Sequence, residues 1–161
     1  MRQLLKIAVF TLGVILAFSS VIRAGVRGHE SKYVGGTVTG VEQGQTGEMH
    51  TEDNGLAFNA DNKQHVEIPY NQITAMEYGE HTGRRVTAVL LSHKKRHYLT
   101  VYFNRDESKA SDQREKIAKD PGLAPAGDVA AFEINKQDFA DIINVLQAKT
   151  GLKVKQETVS H

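Results

Sequence analysis

The chain has 161 residues, with 20 Lys and Arg against 19 Asp and Glu, 14 glycines and no cysteine. The lack of cysteine excludes thiol catalysis, disulfides, thiolate metal sites and a lipidated N-terminal Cys. Residues 1–24 carry Arg2, Lys6 and Arg23 and no acid; without them 17 bases face 19 acids, a net charge of −2, which lacks the bulk positive field of a general nucleic-acid binder.

Those first residues have their own pattern. Arg2 and Lys6 precede a mostly apolar run over 7–18, followed by Ser19 and Ser20. A positive start, a short apolar stretch and small residues predict a secretory signal over 1–24, and hence export to a periplasmic or extracellular space. Cleavage is expected after Ala24, with Ser19 as the competing position. The alternative is an uncleaved anchor extended through Val21 and Ile22. The run is shorter than the roughly 20 residues a spanning helix needs. The remaining 137 residues suffice for one core without covalent staples.

In chain order, residues 25–32 predict a loose N-terminus. Residues 33–41 predict a strand whose Gly35, Gly36 and Gly40 suggest bulges or close backbone approach. Residues 47–53 and 56–60 flank Asn54-Gly55, a pair suited to a tight hairpin turn. Asp61-Asn62-Lys63 predicts a second turn. Val66, Ile68 and Tyr70 then alternate with His65 and Glu67, the period of a half-buried strand. Pro69 makes the end of that strand an edge or a bend. Strands are expected again over 73–78, 86–92, 98–103 and 129–134. Residues 104–128, charged and holding Pro121 and Pro125, predict a surface insertion with at most a helical turn around 112–118.

Helix 136–150 is the one strong helical signal. Phe139, Ile142, Ile143 and Leu146 form a stripe at i, i+3, i+4 and i+7, Asn135 stands as a cap and Gly151 as a stop. Residues 152–161 predict a frayed tail. The expected fold is mainly β: a barrel or sandwich of antiparallel strands over residues 33–151, capped by this C-terminal helix.

Gly47-Glu48-Met49-His50-Thr51, Leu56-Ala57-Phe58 and Val66-Glu67-Ile68-Pro69-Tyr70 with Ile73 resemble the strand pattern of bacterial PH-like and GRAM-like domains. The resemblance covers roughly residues 37–103 and 128–150 and implies a PH-like barrel plugged by its last helix. The 104–128 insertion departs from it. The chain also resembles a group of exported bacterial proteins of unassigned function, through residues 32–36, 68–70, 77–79, 84–85 and 94–100. That likeness implies no activity, and a PH-like fold alone supplies none.

The densest candidate feature is His93-Lys94-Lys95-Arg96-His97, a basic turn suited to phosphate oxygens or an acidic partner surface. A solvated turn that keeps apolar strands from aggregating is the competing reading. Arg84-Arg85 is a second basic pair, roughly 20–25 Å away along an extended strand. The candidate binding residues are therefore Arg84, Arg85, Lys94, Lys95 and Arg96. His93 and His97 share a face only on a helix and lack further ligands, so no metal is expected. His29, His50, His65 and His81 show no ligand spacing. No nucleophile elbow, zinc-protease or phosphate-loop motif occurs. Glu77, Glu80 and His81 offer a carboxylate–imidazole pairing by proximity alone. Tyr33, Tyr70, Tyr78, Tyr98 and Tyr102 fit sheet packing better than a ligand cage.

Together these predict an exported, non-enzymatic, cofactor-free interaction module for a protein or envelope component, without nucleic-acid binding. An anionic-lipid binder and a hydrolase with an unrecognised site are the alternatives.

Overall fold

The computed structural model describes residues 27–79 and 96–157. The expected leader and the expected strand over 86–92 lie outside those residues. Among the described residues the order is β1 (Arg27–Gly36), β2 (Thr46–Thr51), β3 (Gly55–Ala60), β4 (His65–Pro69), a 3-10 turn (Tyr70–Gln72), β5 (Ile73–Gly79), β6 (His97–Phe103), α1 (Glu107–Lys119), β7 (Asp128–Ile134), α2 (Phe139–Thr150) and β8 (Val154–Glu157). The strands form one sheet in the order β4-β3-β2-β1-β7-β6-β5-β8. Two antiparallel meanders, β1–β4 and β5–β7, meet at the β1–β7 pair. The expected mainly β fold with a C-terminal helix is present, and the strand order suits the PH-like arrangement. The sheet does not close: β4 and β8 are its two ends.

Period-two alternation builds the core. Met49, Phe58, Leu99, Val101 and Phe132 are all at most 1% exposed. Phe132 sits between Tyr33 and Phe58, with ring centroids 5.6 and 5.4 Å away. α2 adds Ile142 and Leu146, and packs against β2 and the 3-10 turn. Its stripe is the one the sequence indicates, although Phe139 and Ile143 remain partly exposed. Gly151 ends it at φ 70°, a left-handed stop.

Several boundaries differ from expectation. The expected loose N-terminus contributes to β1, which starts at Arg27 and ends at Gly36 rather than Val41. The loop that follows still packs Val38 and Val41 on the core. Gly36, at φ 144°, earns its place by close approach: a Cβ there would lie 2.0 Å from the Val129 carbonyl oxygen.

The first hairpin turns one residue earlier than Asn54-Gly55. Glu52 N–H donates to Gly55 O at 2.9 Å, which leaves Asp53-Asn54 as the loop. Neither has positive φ, since Lys63 alone does among the described non-glycine residues. Gly55 is instead required by β4, because a Cβ on it would approach the Ile68 carbonyl oxygen to 2.7 Å. Lys63, at φ 69°, closes the second turn where the sequence placed it.

Helix α2 begins at Phe139, three residues later than position 136. Asn135 caps a preceding turn instead, its Oδ1 accepting from Gln137 N–H at 3.2 Å. The expected insertion contains the full helix α1, whose first turn is capped by the Asp106 carboxylate on Ser108 N–H at 3.0 Å. A polar clamp docks it: Arg114 Nε donates to Ile73 O at 2.6 Å, and a second guanidinium nitrogen donates to Tyr70 O. Residues 154–157, expected as tail, form β8 and pair in parallel with β5. Val154 anchors it, packing on the core while its N–H donates to Gln147 Oε1 at 3.0 Å.

Candidate binding groove

A groove of about 420 Å³ runs along β4 at the open end of the sheet. Every residue of β4 lines it, and Val38, Phe103 and Arg105 contribute to the lining. Its floor is apolar because Val66 and Ile68 point to the core side of a period-two strand. Its rim is polar, with His65 and Glu67 exposed. Arg105 is held by an ion pair with Asp128, Nε to Oδ2 at 3.1 Å, and Thr37 Oγ1 donates to the other oxygen of that carboxylate at 2.7 Å.

The hydrogen-bond parity of β4 decides what its edge offers. Ala60 N–H donates to Gln64 O at 2.8 Å, and Tyr70 N–H to Asn54 O at 2.9 Å, both within the register that pairs Leu56 with Ile68. Antiparallel ladders alternate, so the peptide groups of Val66 and Ile68 face β3, and those of His65 and Glu67 face outward. Pro69 falls on the outward parity. Its missing N–H therefore costs the ladder nothing, which is how a proline is accommodated in an edge strand.

The structure does not bring the sequence-selected basic residues to this groove. Arg84, Arg85, Lys94 and Lys95 lie outside the described residues. Arg96 precedes β6, and its guanidinium lies 2.7 Å from Glu133 Oε2 on β7. That carboxylate raises its already high pKa further, so the charge is engaged within the fold. The groove touches the other end of β6, at Phe103, roughly 23 Å along the strand.

Three further polar contacts are structural in character. Tyr78 OH and His97 Nδ1 are hydrogen-bonded, and Phe139 stacks on both rings at 4.7 and 5.2 Å. This fastens the first residue of α2 to β5 and β6. Tyr102 OH donates to Glu77 Oε2 at 2.9 Å, which occupies the carboxylate considered for acid–base work. Its suggested companions Glu80 and His81 are outside the described residues. Tyr70 OH donates to Glu52 O at 2.9 Å, and burial, with the Glu52 and Asp53 charges, pushes its pKa up to about 12. Among the described residues no group of His, Asp and Glu is arranged to hold a metal.

The groove was not selected from the sequence. The signal available was Pro69 in an alternating segment, which marks an edge strand but not the other residues that line the groove.

The class defined by this architecture is a mainly β domain, PH-like in strand order, with an open sheet and a helical cap. No family model matches the chain, and no curated protein matches it. Among solved structures it is similar to one titled "Structure of the Spt16D Pob3N heterodimer", at 7% identity and a TM-score of 0.47. The match covers 84% of this chain and 58% of that one, so the chain spans well under two thirds of its length. A likeness of that size carries no argument about activity or partner.

Proposed function

We propose that this protein is an exported, non-enzymatic interaction module that takes an extended protein segment along the edge of β4. The observation that carries the reading is an edge that no described residue pairs: outward peptide groups at His65 and Glu67 beside a groove of about 420 Å³ with an apolar floor and a polar rim. Strand addition uses those two elements together, main-chain hydrogen bonds for affinity and a pocket for alternate side chains. Export is supported by the charged and apolar pattern of residues 1–24.

A photo-crosslinking residue at position 67, with another at Glu115 on the exposed face of α1 as control, tests this. Protein adducts at 67 and not at 115 are expected. Equal labelling at both positions, or adducts at 67 that are lipid only, would count against it. Arg84, Arg85, Lys94 and Lys95 remain candidates for a second, electrostatic contact with a protein or anionic lipid, while Arg96 is already paired with Glu133. Alanine at Lys94 and Lys95 then weakens salt-sensitive co-sedimentation with anionic vesicles, whereas unchanged sedimentation removes the lipid reading.

A further inference from the structure

We infer that the segment received at the β4 edge is β4 of a second copy of this chain. The inference rests on the reading of that edge as the binding surface, and goes further by naming the occupant.

The parity of the strand admits registers centred on His65, Val66 or Glu67, and the side chains decide among them. In an antiparallel pair between two copies, outward-facing residues must meet outward-facing residues. His65 opposite Glu67 of the other copy satisfies this, and two-fold symmetry repeats it. Val66 then lies on the axis opposite its own counterpart, in a non-hydrogen-bonded pair. The register centred on Glu67 sets carboxylate against carboxylate, and the one centred on His65 sets imidazole against imidazole and runs the pairing into the Lys63 turn, outside β4.

Charge complementarity agrees with that choice. Read from N to C, a strand that suits this edge has a basic residue across from Glu67, an apolar one across from Val66 and an acid across from His65. His65-Val66-Glu67 is such a segment. His65 Nδ1 donates to Asn59 Oδ1, 2.6 Å away, so Nε2 donates to the partner's carboxylate when the ring carries both protons. Val66, only partly buried in one copy, gains a neighbour at the axis. The interface is closed, since the same patch serves both copies. β4 is only five residues long, so association along it is reversible and concentration-dependent.

Sedimentation of the chain as isolated from expressing cells tests this, on wild type, His65→Glu, Glu67→Lys and the double swap. Both residues are exposed and their peptide groups lie outside the β3–β4 ladder, so matched thermal melts are expected. The wild type should show a monomer–dimer equilibrium, each single variant a dissociation constant at least about tenfold weaker, and the double swap recovery to near the wild-type value. A second readout uses the cysteine-free background. Val66→Cys should form an intermolecular disulfide on mild oxidation, because non-hydrogen-bonded pairs bring Cα atoms to about 4.5 Å, within disulfide reach. Lys63→Cys should not. A chain that stays monomeric, an association indifferent to both charge variants, or equal crosslinking at 63 and 66 overturns the inference. A monomeric chain whose position-67 adducts contain a different protein overturns it while leaving the strand-addition reading intact.

Discussion

Arg114 shows how a single side chain can place an element that carries little apolar surface. Its guanidinium donates to the Tyr70 and Ile73 carbonyl oxygens, and partial burial lowers its pKa. Arg114→Ala should destabilise the domain by about 2 kcal/mol, the scale of hydrogen bonds to a charged donor, as measured by denaturant unfolding. Arg114→Lys should recover only part, because an ammonium cannot span two carbonyls as a planar fork does. Tyr70 gives a pH prediction. Its pKa is raised from 10.0 to about 12, so its neutral form is favoured by folding. That contribution is whole below pH 10 and is lost as pH rises towards 12. Tyr33 and Tyr98 shift in the same direction. Stability should therefore fall between pH 10 and 12, and Tyr70→Phe should flatten part of the fall. An unchanged slope would contradict the assignment.

At the scale of elements, β8 is the least anticipated. Four residues add to β5 in parallel, held by Val154 packed against the core and by Gln147. Truncation after Leu152 exposes the β5 edge and removes one apolar anchor. It should lower Tm by several degrees, roughly 1–2 kcal/mol for a domain of this size, and increase aggregation on heating. An unaltered melt would mean β8 contributes nothing. Strands with strict alternation, such as those holding Val66, Ile68, Leu99, Val101 and Phe103, were legible in the sequence, as was the stripe of α2. Alternation reports a buried face directly. β8 was not legible, since Val154 alone carries its burial and one residue makes no period. α1 was underread for a related reason: Ala110 is its one fully buried residue, and its docking is a polar clamp that hydrophobic periodicity cannot register. The turn at Asp53-Asn54 was misplaced because a glycine needed for strand contact looked like one needed for a turn. The groove depends on Phe103 and Arg105 arriving beside β4, a long-range juxtaposition with no local signature.

For the whole molecule, residues 25–161 carry 17 bases against 19 acids, a net charge of −2, which supplies no bulk positive field. Export predicts a mature N-terminus at Gly25, or at Ser20 for the competing site, readable by intact mass. A chain that retains Met1 in the membrane fraction would support the anchored alternative. The account turns on β4 having one side bonded and the other free. Residue-resolved amide exchange on the dilute chain measures this directly. Val66 and Ile68 should exchange at least about tenfold more slowly than His65 and Glu67, and the latter pair should gain protection as protein concentration rises. His65 and Glu67 amides as slow as Val66 at the lowest concentration would mean the edge is already covered, and would contradict the account.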